Sequence, residues 1–323
     1  MTEKENVRPP RGSIRRAPAG GFVQDLADDA ESARLSRRLL IDTIRHLEPF
    51  RESLTVIGAH AVFARVQSAI PEMEMQSTKD ADLAVNPEFV ASEPAIRDLM
   101  AAAGLEPAHP DRPGIYGYTS ESGTRQVERT TIDLIVPEAY AGAGRRAARI
   151  AGQKNAATKA EGIELALYDR SPMGLLPLPG DPDQESTEIM VAGHAALLVA
   201  KAYKIRDRIK QYDDRPYRLR AKDSTDVGLL MLTSDPFDVA ETMHRICAER
   251  TELGGMGKVA ANVIVSEYLR DESGLVRLPM LRRLEQLAGQ DASTKVNSWL
   301  QDFDDASSGW RSAQADTSRP GTD

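Results

Sequence analysis

Cysteine is almost absent from this chain. Cys247 is the one thiol in 323 residues, so a disulfide scaffold is excluded. Histidine is sparse too: His46, His60, His109, His194 and His244 are scattered, and no Cys/His set has the spacing of a structural zinc site. No apolar run approaches the roughly 18–20 residues that a membrane span needs. The N-terminus lacks the apolar core of a secretory signal. A basic excess is also missing, because 41 Lys and Arg stand against 49 Asp and Glu for a net charge of −8. That balance argues against a protein that coats nucleic acid non-specifically, yet it leaves room for a local basic groove on an acidic body. The expectation is a cytoplasmic protein with no membrane partner, long enough for one large domain or two ordinary ones.

Residues 1–20 carry Lys4, Arg8, Arg11, Arg15 and Arg16 with three prolines and no apolar periodicity, and they read as a disordered basic arm. Residues 304–323, rich in Ser, Asp, Gly and Thr, read as a second tail. Between them, Leu26, Leu35, Leu39, Leu40, Ile44 and Leu47 recur at helical intervals. Leu54 to Ile57 then predicts a short buried strand that turns through Gly58 into a helix, a place where backbone N–H groups can face a phosphate. Asp80 to Val85 alternates as a half-buried strand with acids on one face. A helix follows over Ile96, Leu99 and Met100, with Gly104 at its cap. Next come a hairpin from Ile115 to Val136, turning at Glu121-Ser122-Gly123, and a strand over Ile163, Leu165 and Leu167. The Pro/Gly-rich stretch 172–182 marks a boundary, and helices are predicted near 187–211, 223–233, 236–249, 258–270, 277–288 and 292–302. The fold class is therefore α/β (α+β): a core over 21–182 and a helical lobe over 183–303.

The chemistry concentrates in a few places. Asp80 and Asp82, two apart on a strand, project from one face and could share a Mg²⁺ ion. Asp133, flanked by Ile132 and Leu134, supplies a third carboxylate if its strand is a neighbour. Three acids on one sheet face suit metal-assisted phosphoryl or nucleotidyl transfer. A lone D-x-D pair, however, more often lies on the solvent face of an edge strand. Further on, Lys201, Lys204 and Arg208 fall on one helical stripe, and Lys222-Asp223-Ser224-Thr225-Asp226 opens the next helix. Either feature alone would equally suit a solvated face and a helix cap. Arg215, Arg218 and Arg220 could extend an anion-binding surface, and Arg145, Arg146, Arg149, Lys154 and Lys159 form a second basic patch.

The order of these elements, Val56-Ile57-Gly58-Ala59, then Asp80-Ala81-Asp82-Leu83, then Ile132-Asp133-Leu134, resembles the nucleotidyltransferase superfamily. The stripe of Lys201 and Arg208 followed by Lys222-Asp223-x-x-Asp226 resembles the later motifs of the AbiEii/MenT-type toxins, over roughly residues 50–235. That resemblance implies a nucleotidyltransferase core with a short mixed sheet facing a C-terminal helical lobe. It implies an enzyme using Mg²⁺ and an NTP, with Asp80, Asp82, Lys201 and Asp223 catalytic and Asp80, Asp82 and Asp133 on the metal. Gly58, Ala59, Lys204 and Arg208 would bind the NTP, with Asp223 orienting Lys201 or the acceptor hydroxyl.

The leading acceptor is the 3′ end of an RNA such as tRNA, favoured by the basic arm and the 145–159 patch, with Arg145, Arg146 and Arg149 expected to bind it. The implied setting is a toxin with a cognate antitoxin, or phage defence. Other acceptors, a protein or an antibiotic, share the same chemistry. A degenerate protein that only binds NTP or RNA is the reading from another class. Its support is Gly58-Ala59, where the family has Gly-Ser or Gly-Gly. Gly254-Gly255-Met256-Gly257-Lys258 lacks phosphate-loop spacing and reads as a turn.

Overall fold

The computed structural model of the chain describes residues 26–118, 130–143, 146–181 and 185–312. Both outermost segments, 1–20 and 313–323, lie outside the described residues, as do the turn expected at 121–123 and Arg145.

The first helix, α1 (Leu26–His46), buries Leu39, Leu40, Ile41 and Ile44, as the spacing of its apolar residues requires. A short 3₁₀ segment leads into β1 (Leu54–Ile57), whose four side chains are all buried, and Gly58 opens α2 (Gly58–Ala69) directly. Further strands are β2 (Asp80–Val85), β3 (Leu105–Pro107), β4 (Ile115–Tyr118), β5 (Thr131–Pro137), β6 (Thr158–Ala160), β7 (Arg170–Leu175) and β8 (Thr187–Ala192), with α3 (Ile96–Ala102) between β2 and β3. They form one mixed sheet in the order β3-β4-β5-β2-β1-β8-β7, with β6 beside β5.

At the centre, β2 runs antiparallel to β1 and parallel to β5. Every β2 residue from Leu83 to Val85 is buried, while its first residue, Asp80, is exposed. The strand therefore enters the core from a polar end, and that end carries the acids.

Three sequence expectations change here. Residues 163–167 form a 3₁₀ turn, Glu164–Leu167, instead of a strand. Leu165, Ala166 and Leu167 are all buried rather than alternating, and the Glu164 carboxylate accepts the Gly162 N–H at 2.8 Å, which tightens the chain. Residues 187–192, expected as the start of a long helix, are strand β8, paired parallel to β1 and antiparallel to β7. The sheet thus runs across the boundary placed at 182, and the helical part begins at α4 (His194–Lys210). The junction needs Gly193, since a Cβ there would lie 2.0 Å from Asp169 Oδ1. Finally, residues 304–312 are no tail: they complete α9 (Ala292–Ser312), burying Phe303 and Ser307.

The helical part contains α4, α5 (Ala221–Leu232), α6 (Pro236–Glu249), α7 (Met256–Ile264) with a π turn to Leu269, α8 (Arg277–Ala288) and α9. Helix α6 starts where Asp235 accepts N–H bonds from Phe237 and Asp238 at 2.8 and 3.1 Å, with Pro236 at the first position. Helices α4 and α5 pack on each other and on α2, so the helical part is anchored where β1 turns into α2. No helix among the described residues is long and apolar enough to cross a membrane.

Candidate active site

The polar end of β2 and the start of α2 meet at one backbone feature. Gly58 has φ +68, and a Cβ on it would lie 2.1 Å from Asp82 Oδ2, so only glycine lets the strand turn into α2 against that carboxylate. Ile57 pairs with Asp82 in the β1–β2 register, and no side chain caps the first turn of α2. Its free N–H groups, with the positive end of the helix dipole, therefore open beside the acids.

In the β2–β5 register Asp82 lies directly beside Asp133. Burial first, and the charge of a neighbouring acid second, raise both carboxyls. Burial, with Asp80 adding to it, pushes the Asp82 carboxyl up to about 6, even though Lys204, Lys201 and Lys222 pull it down. Burial, then Asp82 and Asp80, pushes Asp133 up to about 8 against the pull of Arg112 and a Thr131 hydrogen bond, and its Oδ1 finds no hydrogen-bond partner among the described residues. Asp80 is more exposed, and its Oδ1 accepts a hydrogen bond from the Thr78 hydroxyl at 3.0 Å.

Facing these acids is the α4 stripe, with each cation held by α5. Lys201 Nζ donates to Asp226 Oδ2 at 2.5 Å, with both groups buried. Lys204 Nζ lies 3.0 Å from Asp223 Oδ1, and Arg208 pairs with Asp223 Oδ2. Of the two roles expected of Asp223, orienting Lys201 or the acceptor hydroxyl, the first falls to Asp226. The reason is register, because Asp223 and Asp226 are one helical turn apart on α5 and meet different turns of α4. Lys204, its side chain 47% exposed, is the stripe's cation on the open side. Lys222 donates to the Ser77 carbonyl, and burial with Lys201 and Lys204 nearby lowers its ammonium to about 8. Gly58 and Ala59 are half-buried, and Ala59 lines a cleft with Phe63, Gln76, Lys222 and Asp226.

The expected RNA patch lies elsewhere. Arg146 precedes Ala147, which bridges to Thr158 of β6, and β6 pairs with the C-terminal half of β5 from Ile135 onward. Arg146 and Arg149 are thus exposed beside the end of β5 that is remote from Asp80 and Asp82, and Lys159 is occupied by Glu138 at 2.8 Å. The arginines whose charge reaches the acids are Arg112, acting on Asp133, and Arg208, which itself feels Arg218 and Arg220.

Two features carried no assigned role in the sequence. Asp226 was legible as the second acid of Lys222-Asp223-x-x-Asp226. The chain from His60 Nε2 to Ser36 Oγ at 3.0 Å, and from Ser36 Oγ to the Thr78 carbonyl at 3.1 Å, joins α1 and α2 to the approach to Asp80 and had no sequence signal. His194 contacts Thr233 Oγ1 at 3.2 Å, with its imidazole pushed down to about 4 by burial.

Among the described residues no group of three or more His, Cys, Asp and Glu side chains is disposed to hold a metal ion. A three-carboxylate cage is therefore not assembled. The Asp80–Asp82 pair still fits Mg²⁺, which is commonly held by one or two carboxylates completed by substrate phosphates and water. The raised Asp82 carboxyl shows that burial and the neighbouring acid outweigh the pull of Lys204, Lys201 and Lys222 at this end of the sheet. Comparison with family models, curated proteins and solved structures finds no match.

Proposed function

We propose that the chain is an NTP-dependent nucleotidyltransferase. The observation that carries this reading is the opposition of Asp80 and Asp82, at the uncapped start of α2, to the Lys201, Lys204 and Arg208 stripe. One side suits a hard cation and the other suits phosphate oxygens. Mg²⁺ at Asp80 and Asp82 would neutralise triphosphate charge and lower the pKa of the attacking hydroxyl. Lys204 and the α2 N–H groups hold the triphosphate. Asp226 fixes Lys201 behind them, and Asp223 sets the spacing of Lys204 and Arg208. The acceptor oxygen attacks the α-phosphorus, the bond to the β-phosphate oxygen breaks, pyrophosphate leaves and the hydroxyl proton goes to water.

The acceptor in this reading is the 3′ end of an RNA such as tRNA, in a toxin–antitoxin or phage-defence setting with a cognate antitoxin. The test is incubation with each α-labelled NTP, Mg²⁺ and total RNA, followed by a gel that separates labelled RNA from labelled protein. Label on RNA supports the reading, and label on protein moves the acceptor to a protein side chain. A second reading, an NTP or RNA binder without transfer, is favoured by the full pairing of the cationic stripe with Asp223 and Asp226. Binding of NTP with no label transferred to anything would establish it.

A further inference from the structure

The turn joining α4 to α5 combines features that the site itself does not use. Gln211 caps the C-terminus of α4, and its carbonyl accepts the Arg215 N–H at 2.8 Å, while its side-chain Oε1 accepts from Arg218 Nη1 at 2.6 Å. The Arg218 N–H bonds back to the Arg215 carbonyl at 3.1 Å. These bonds fold Pro216–Arg218 into a 3₁₀ turn that leaves Tyr217 75% exposed. Asp213 and Asp214 precede the turn, but residues 215–220 hold Arg215, Arg218 and Arg220 with no acid, and all three are exposed. The cluster sits between the two helices that carry the stripe, because the turn follows Arg208 on α4 and precedes its partner Asp223 on α5.

An exposed ring flanked by cations offers a flat face and positive charge to the same ligand. Single-stranded nucleic acid uses both, with phosphates on the arginines and a base on the ring. We propose that Tyr217 is a stacking platform and Arg215, Arg218 and Arg220 its phosphate contacts, together binding the single-stranded 3′ end of an RNA acceptor. This rests on the transferase reading only for the word acceptor. The surface makes its own prediction about binding.

The experiment uses the full chain and a fluorescein-labelled single-stranded RNA 12-mer with a free 3′ hydroxyl, with anisotropy followed over a salt series. Tyr217→Ala should weaken binding about 5- to 100-fold, the loss of one stacked base, and leave the salt slope unchanged. Arg218→Ala with Arg220→Ala should reduce the log–log salt slope by about 1.4, at roughly 0.7 per single-strand contact. A blunt duplex of the same sequence should bind parent and Tyr217→Ala alike.

Unchanged single-strand affinity in Tyr217→Ala overturns the proposal. So does loss of binding in Arg146→Ala with Arg149→Ala but not in the Arg218/Arg220 pair. Displacement of the RNA by polyglutamate with no effect of Tyr217→Ala would assign the turn to an acidic protein segment instead, and also overturns it. The two readings fail separately. RNA binding that depends on Tyr217 without label transfer removes the transferase and keeps the platform. Transfer to RNA that is indifferent to Tyr217→Ala does the reverse.

Discussion

The two sides of the candidate site handle charge in opposite ways. On the sheet side, Asp80, Asp82 and Asp133 crowd one another, and two of them are pushed above the usual carboxylate range. On the helix side, Lys201, Lys204 and Arg208 are each matched by an acid of α5. Strands place side chains two apart on one face, so acids there cannot avoid one another. Packed helices can match charges turn by turn. The sheet side therefore carries a crowding of acids that the facing lysines only partly offset. The helix side pairs every cation, but Asp223 serves both Lys204 and Arg208, so three cations share two acids and the positive excess suits phosphate.

The largest expected effect breaks the sheet side. Asp80→Ala or Asp82→Ala should lower nucleotide transfer by orders of magnitude, since phosphoryl-group chemistry depends on positioning and charge neutralisation. Thermal unfolding should be unchanged or move upward, because each substitution relieves like-charge crowding. Near-normal transfer in both variants, measured with labelled NTP, would remove these acids from the chemistry.

Breaking the helix side should act on stability instead. Asp226→Ala leaves the buried Lys201 ammonium without its partner, at a cost of about 3–5 kcal/mol. Lys201→Met together with Asp226→Leu should recover most of that loss, although transfer stays low. Urea unfolding of the two variants tests this. An Asp226→Ala protein as stable as the parent would mean that the pair is not closed in solution.

The comparison sharpens with pH. A carboxyl whose native pKa is raised to about 8 keeps its proton in the folded chain after the unfolded chain has lost its own. Stability should therefore fall between about pH 4 and 8, by at most ~1.4 kcal/mol per pH unit from this group, and level off above. Asp133→Asn should flatten that fall, matching the parent near pH 4 and exceeding it near pH 9. In the parent, millimolar Mg²⁺ should diminish the slope. A variant with the parent's slope would place the titration elsewhere.

Much of this was legible in the sequence where local pattern decides the outcome. The β1–Gly58–α2 turn, the Asp80–Val85 strand and the α4 stripe are periodic and adjacent in the chain. Strand β8 was not, because Ile189 and Val191 run into the helical spacing of α4 with one glycine between them. The partner of Lys201 depends on the register of α4 against α5, which neither helix encodes alone. The remoteness of Arg146 and Arg149 depends on which half of β5 pairs with β6. Arg112 reaches Asp133 from outside any regular element, with no periodic signal to announce it.

The smallest effect concerns a cation outside the matched stripe. Arg37 on α1 is 2% exposed, and its Nε and Nη1 find no hydrogen-bond partner among the described residues. Its guanidinium packs over the Phe63 ring at 5.7 Å, and burial alone lowers its pKa to about 10. Below pH 9 the group is charged in both folded and unfolded chains, so its desolvation cost is constant across the working range. Arg37→Met keeps the length and apolar packing of the side chain and removes the buried charge. The loss of the ring contact, about 0.5–2 kcal/mol, offsets part of that gain. The variant should be more stable by about 1 kcal/mol, equally at pH 6 and pH 8, in urea unfolding. A loss of stability would mean that the guanidinium is compensated in solution, and repeating the titration with added phosphate would show whether an anion compensates it. The helix-side rule of matched charge would then extend to α1.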